Sequence, residues 1–240
     1  MELKYGDVYG FNIDEEIIKI ENTKEKIGIK VIPDNKAQLF LMGILFAANK
    51  RIKLLNKKDL DMSGKKTFNI MFSIWENVYN TNFPNRKRTN VVHWFDEILL
   101  NEKKNKTVFK PILNNEIDKK LFLICPVKDA NKKQLEKMRK YLKQKRDEGY
   151  LTHFPHDDTN QVDSLGGYNI CKENGNAIGS SSEVHIYYDP SSRGSAFDLG
   201  MAYYMKKSLH IINEREFVYN MSDYIDKKIY EMSKPKTLIK

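Results

Sequence analysis

The chain has 240 residues and a mass of 28.2 kDa, and 40% of its residues are hydrophobic, 11% aromatic and 30% charged. With only 7 prolines and 12 glycines, this composition excludes fibrous and disordered proteins and is typical of a globular chain with one large core or two smaller ones. No apolar run reaches the roughly 20 residues of a membrane-spanning helix. Since the N-terminal MELKYGDVYG also lacks the apolar segment of a secretion signal, we expect a cytoplasmic protein with no membrane partner.

The charge is positive, with 41 Lys and Arg against 32 Asp and Glu and a formal value of +9. Such a charge can indicate an anionic partner. The basic residues are mostly lysines spread along the chain, without an Arg-rich arm, so we do not expect a nucleic-acid partner. The two cysteines, Cys125 and Cys171, lie far apart and form no CxxC motif, which predicts free thiols.

Residues 27–56 predict a strand, a turn, a helix and a second strand, and they repeat the pattern of residues 184–213. An offset of 157 residues aligns the two segments without a gap and pairs Pro33 with Pro190, Phe40 with Phe197 and Gly43 with Gly200. We infer an internal duplication. The alternative is that two unrelated strand–helix–strand units share one pattern.

The first copy lacks the polar side chains of the second. Ser192, Ser195 and Asp198 of the second copy correspond to Asn35, Gln38 and Leu41. Only 26 residues precede Ile27, too few for the full set of elements before the second copy. We therefore predict that residues 1–119 hold a shortened, non-catalytic copy followed by a linking region over about residues 83–119, rich in Asn, Lys and Arg.

The second half of the chain alternates predicted strands and helices. The strands are expected at 121–127, 150–154, 183–189 and 208–213, and the helices at 131–148, 168–181, 195–207 and 220–233. This alternation predicts an α/β domain over residues 120–240, with a parallel sheet and helices on both faces. The long polar loop at 156–167 is typical of a functional segment.

Several polar segments should meet at the carboxyl end of the parallel sheet, where such sheets bind ligands. The candidate substrate-binding residues there are Pro126, Gln161, Asp163, Ser192, Gly194 and Ser195. The last three surround the start of a helix, whose free amides suit an anion such as a phosphate. The alternative is that Ser195 only caps its own helix.

A carboxylate, Asp198, is expected in the first turn of the same helix, where the helix dipole lowers the pKa of an acidic side chain. His153, His156, Asp157 and Asp158 are close in sequence but lack a further ligand set at recognisable spacing. We therefore expect neither a metal nor another cofactor. No GxGxxG, GxxxxGK[ST] or GxSxG motif is present, so the sequence does not predict a classical dinucleotide-binding loop, a P-loop or the nucleophile elbow of α/β-hydrolases.

Three motifs carry a resemblance to a known family: FPHDDTNQVD (154–163), ICKENGNAI (170–178) and EVHIYYDPSSRGSAFDLGMAY (183–203). With them, residues 121–213 resemble the nucleoside 2-deoxyribosyltransferase-like superfamily, which includes 2′-deoxynucleoside 5′-phosphate N-hydrolases. The resemblance implies a flavodoxin-like α/β fold. Members of the superfamily commonly form oligomers, so a homo-oligomer is one expectation; the first copy could instead supply the neighbouring surface within one chain.

The resemblance also implies roles for individual residues. Asp198, in Asp-Leu-Gly-Met-Ala, takes the position of the carboxylate that attacks the anomeric carbon of the nucleoside, although that residue is typically Glu. Ser192 falls where the hydrolases bind the 5′-phosphate. Asp189 and Asn174 fall near polar active-site positions and, with the pair Asp157 and Asp158, are candidates for assisting the departing base.

The expected function is cleavage or transfer of the N-glycosidic bond of a nucleoside or nucleotide, with Asp198 as nucleophile or as stabiliser of the oxocarbenium-like state. Gln161 and Asp163 would contact the sugar or the base. Because Asp is one methylene shorter than the usual Glu, the alternative is a non-catalytic nucleotide-binding sensor or signalling module.

Overall fold

The computed structural model describes residues 2–3, 13–23, 27–29, 36–48, 52–54, 115–127, 130–161, 168–189, 192–213 and 224–234. The first half contains β1 (Glu2–Leu3), α1 (Ile13–Asn22), β2 (Ile27–Ile29), α2 (Lys36–Ala47) and β3 (Ile52–Leu54). The second half contains β4 (Ile117–Ile124), α3 (Lys132–Asp147), β5 (Leu151–His153), α4 (Pro155–Asp158), α5 (Tyr168–Ser180), β6 (Ser181–Ile186), α6 (Arg193–Tyr204), β7 (Leu209–Ile211) and α7 (Tyr224–Ser233). Among these residues, no helix has the length and apolar character needed to cross a bilayer.

The second half forms a four-stranded, entirely parallel sheet in the order β5-β4-β6-β7. This order is that of the first four strands of flavodoxin-like folds, so the predicted α/β class is confirmed. The central strand β4 begins at Ile117, four residues earlier than predicted. Its polar start, IDKK, gives no apolar signal, but Ile117 pairs with Ser181 beyond a shift in register.

Helices cover both faces of this sheet because the side chains of β4 alternate in direction. Leu121 and Leu123 pack in one core cluster with Met138 and Leu142 of α3. On the other face, apolar residues of β4 and β6 join those of α5 and α6, namely Phe122, Ile124, Val184, Ile186, Ile178 and Phe197. Helices α5 and α6 therefore lie on the same side of the sheet.

The described residues of the first half form a separate three-stranded parallel sheet in the order β1-β2-β3. Adding 157 to the bounds of α2 gives 193–204, the bounds of α6, and adding 157 to those of β3 gives 209–211, the bounds of β7. The helix and the strand that follows it thus have matching bounds in the two units. Descent by duplication stays a prediction, and most of the predicted linking region lies outside the described residues.

The two units pack through α2 and α6, which cross at two glycines. A Cβ at Gly43 would overlap the carbonyl oxygen of Phe197, and a Cβ at Gly200 would overlap that of Phe40. Since an offset of 157 converts Gly43 to Gly200 and Phe40 to Phe197, the two contacts are images of each other. Only glycine allows backbones to approach so closely.

Two aromatic pairs around the crossing show the same symmetry. The ring centroids of Phe40 and Tyr203 are 5.4 Å apart, and those of Phe46 and Phe197 are 5.6 Å apart. The offset of 157 converts one pair into the other. The units therefore pack face to face about an approximate two-fold axis, in the manner of a symmetric dimer contained in one chain.

Candidate functional site

Helix α6 begins two residues earlier than predicted, at Arg193, and its N-cap is Ser192. The Oγ of Ser192 accepts a hydrogen bond from the backbone N–H of Ser195 at 3.4 Å, and the two hydroxyl oxygens are 2.8 Å apart. The N-cap is therefore Ser192, and the alternative interpretation, in which Ser195 caps the helix, is wrong. A methyl group at Gly194 would meet no other atom within 4 Å, so there is open space beside this first turn.

The earlier start moves Asp198 into the second turn of α6. Its side chain is buried, with 8% of the residue exposed, and burial raises the pKa of Asp198 to about 7. The expectation that the helix dipole would lower this pKa is wrong. Loss of hydration disfavours the charged form, and the helix terminus acts mainly on the first turn.

The structure brings Asn174 to Asp198. Asn174 lies on α5, is buried, and donates a hydrogen bond from Nδ2 to Oδ2 of Asp198 at 3.3 Å. Within the described part of the chain, it is the one hydrogen-bond partner of this carboxyl group. The contact favours the ionised form of Asp198 and so opposes part of the effect of burial.

Asp189, the other predicted catalytic residue, follows the end of β6 and is joined to the start of α3. Its Oδ2 accepts a hydrogen bond from Nε2 of Gln134 at 3.1 Å. Gln134 also completes a capping box with Asn131, the N-cap of α3. Two helix N-termini, those of α3 and α6, thus lie next to the segment that leaves β6.

The segment after β5 holds several predicted site residues, whose polar side chains bind within the segment or to α3. Nε2 of Gln161 donates to the carbonyl oxygens of Pro155 and Thr159, each at 3.0 Å. Asp157 forms an ion pair with Arg139 at 2.7 Å, which lowers the pKa of that carboxyl group. Asp158 accepts from the backbone N–H of Phe154 within the same segment. Pro126 is buried after β4, and Asp163 lies outside the described residues.

The sequence did not predict that Thr159 and His153 lie next to the catalytic candidates. Thr159 is buried and donates to Oδ1 of Asn174 at 2.9 Å, and its Oγ1 lies 2.9 Å from Nε2 of His153. The position of the two residues in the sequence could have indicated this placement. His153 ends the parallel strand β5, and Thr159 lies in the segment that follows its carboxyl end. Nothing in the spacing of Thr159 and Asn174 indicates that their side chains meet.

The neighbouring thiol, that of Cys125, lies in surroundings that disfavour the thiolate. Cys125 is buried directly after β4, and burial, followed by the charge of Asp198, raises its pKa well above the ordinary value of a cysteine. The thiol therefore stays protonated at neutral pH.

A second buried polar cluster lies on the face covered by α3. Nδ1 of His185 is 2.6 Å from the hydroxyl of Tyr141, and Nε2 is 2.8 Å from Oε2 of Glu183. Burial lowers the pKa of His185 to about 4, so the ring is neutral at pH 7. Its two partners satisfy both ring nitrogens, which is typical of a structural histidine.

Across the described ranges, no three His, Cys, Asp or Glu side chains converge as metal ligands would. Comparison of the chain with protein families, curated proteins and solved structures finds no match.

Proposed function

We propose that the chain binds a nucleoside or nucleotide and cleaves its N-glycosidic bond, passing the sugar to water or to another base. The observation that carries the proposal is the buried contact between Asn174 and Asp198, which joins α5 to α6. Cleavage of this bond develops positive charge on the sugar ring, and a carboxylate beneath the anomeric carbon stabilises that charge or bonds to the carbon. Asp198 is our candidate for that carboxylate.

Ionisation of Asp198 decides whether it can act. With a pKa of about 7, roughly half of the carboxyl groups are charged at pH 7. Only the charged form can stabilise a cation or attack carbon. We therefore expect the rate with a neutral nucleoside to rise with pH through about 7.

The start of α6 supports a substrate with a 5′-phosphate. The N-cap hydroxyl of Ser192, the hydroxyl of Ser195 and the backbone around Gly194 lie one turn before Asp198 on the same helix. Helix N-termini favour anions through their free amides. The open space beside Gly194 is consistent with this use.

One observation favours a second function, a nucleotide-binding sensor without catalysis. Asp198 combines a side chain shorter than Glu, which reduces its reach, with a raised pKa, which lowers its charged fraction at neutral pH. In that case the same site would bind a nucleotide and leave its glycosidic bond intact.

A panel of nucleosides, nucleoside 5′-monophosphates and NAD separates the two functions. Purified protein, Asp198→Ala and the exposed control Asp147→Ala would each be incubated with the panel, and free base measured by chromatography. We expect base release by the native protein and the control, and a fall of about 10²–10³-fold in Asp198→Ala.

Without base release, a rise in melting temperature with a nucleotide would support the sensor. If no compound is cleaved and none raises the melting temperature, both functions are wrong.

A further inference from the structure

The contact between Asn174 and Asp198 is the end of a longer hydrogen-bond chain. The chain begins at His153 on β5, whose Nε2 is 2.9 Å from Oγ1 of Thr159, and Thr159 donates to Oδ1 of Asn174 at 2.9 Å. Asn174 then donates from Nδ2 to Asp198 at 3.3 Å. The last three residues are buried, so each hydrogen bond is made in surroundings where an unpaired polar group is costly.

The proton positions in this chain follow from its acidic end. In its charged form Asp198 only accepts, so the Asn174 amide then turns its Nδ2 towards Asp198 and its Oδ1 towards Thr159. Thr159 has a single hydroxyl proton, which it gives to Oδ1 of Asn174. Its oxygen must therefore accept from His153, and this requires a proton on Nε2 of His153.

The surroundings keep His153 neutral. Burial lowers its pKa, and the charge of Lys120 acts in the same direction, whereas Asp158 opposes both. Near Asp198 the described titratable neighbour is the thiol of Cys125, which is uncharged. A neutral His153 with its proton on Nε2 is thus the expected form at pH 7.

We propose that Thr159 and His153 are positioning residues, which hold the Asn174 amide with its Nδ2 towards Asp198. This orientation keeps a donor on Oδ2 of Asp198 and leaves Oδ1 of the same carboxyl group for the substrate. The catalytic consequence rests on the proposed function. The order of the hydrogen bonds does not depend on the proposed function, because it follows from the four side chains alone.

Removal of the Thr159 hydroxyl should raise the pKa of Asp198. In Thr159→Val, Oδ1 of Asn174 loses its donor, and the amide can turn so that Oδ1 faces Asp198. That arrangement is stable only if Asp198 is protonated. Loss of about one hydrogen bond from the charged form should raise the pKa of Asp198 by about 0.5–1 unit.

The test measures protonation directly. The pKa of Asp198 would be followed through its carboxyl ¹³C resonance in the native protein, Thr159→Val, Thr159→Ser and Thr152→Val. Thr152→Val is the matched control, since Thr152 lies on β5 but its hydroxyl accepts from Arg146 at the surface. We expect the pKa to rise in Thr159→Val only, and Thr159→Ser to keep the native value.

The ¹⁵N resonances of His153 in the native protein should show the Nε2–H tautomer, and this result does not require any variant to fold. An Nδ1–H tautomer would overturn the proposal, and so would equal Asp198 pKa values in the native protein and Thr159→Val. If base is released, the acidic limb of the pH–rate profile should move upward with the pKa. If both NMR results hold but no base is released, the proposed function fails and the positioning role stands.

Discussion

Gly200→Ala is expected to lower the melting temperature by roughly 6–12 °C, corresponding to a loss on the order of 3 kcal/mol for a chain of this size. The new Cβ would overlap the carbonyl oxygen of Phe40 and lie 2.8 Å from its carbonyl carbon and 3.1 Å from its Cα. These are backbone atoms of α2 and cannot turn away as a side chain could. The two helices must separate, which disturbs the core that they share.

Gly43→Ala should have a similar effect, because its Cβ would overlap the carbonyl oxygen of Phe197. Gly194→Ala is the matched control on α6. Its Cβ meets open space, and alanine favours a helix over glycine by about 0.5–1 kcal/mol, so its melting temperature should stay equal or rise. Thermal denaturation followed by circular dichroism measures all three. A Gly200→Ala protein as stable as Gly194→Ala would contradict the close helix crossing.

Asp198→Asn is expected to lower base release by about 10²–10³-fold, as Asp198→Ala does, and to stabilise the protein at alkaline pH. Burial holds the pKa of Asp198 at about 7, well above the ordinary value of 3.8. The folded state therefore binds its proton more tightly than the unfolded state does. Between about pH 4 and pH 7 the free energy of unfolding falls as pH rises, and above pH 7 the protein retains a buried charge.

An amide at position 198 removes this charge and can still accept from Asn174. At pH 8 we expect Asp198→Asn to be more stable than the native protein by about 2–4 kcal/mol, a rise of roughly 5 °C or more in melting temperature. At pH 4 the two proteins should differ little. Melting curves at both pH values, with Asp147→Asn as the exposed control, measure this difference. Equal stability of native and variant protein at pH 8 would show that Asp198 carries no burial cost.

The sequence predicted most elements of the second half because their patterns are local. The interior of α3 has apolar residues at helical spacing, and its observed bounds differ from the predicted ones by one residue at each end. The start of β4 was missed because its residues are polar and are held by pairing with β6. The helix α4 (Pro155–Asp158) was missed because a single turn has no periodicity to detect.

The site could be predicted less fully, since its contacts depend on how helices pack. Asn174 and Asp198 were both candidates, but only the placement of α5 beside α6 brings their side chains together. The pKa of Asp198 was predicted in the wrong direction because burial cannot be judged from position along one helix. The contact of Thr159 with Asn174 depends on the turn after α4, which the sequence pattern does not determine.

The crossing of α2 and α6 also sets the order in which the chain can fold. Gly43 and Gly200 are 157 residues apart, so at typical synthesis rates of about 5–20 residues per second α2 precedes its partner by roughly 8–30 s. Throughout this delay the apolar residues at 39–45, which are buried in the folded protein, have no α6 against which to pack. The shared core therefore forms only after nearly all of the described elements have been synthesised, so the closing of this 157-residue loop comes late in folding during synthesis.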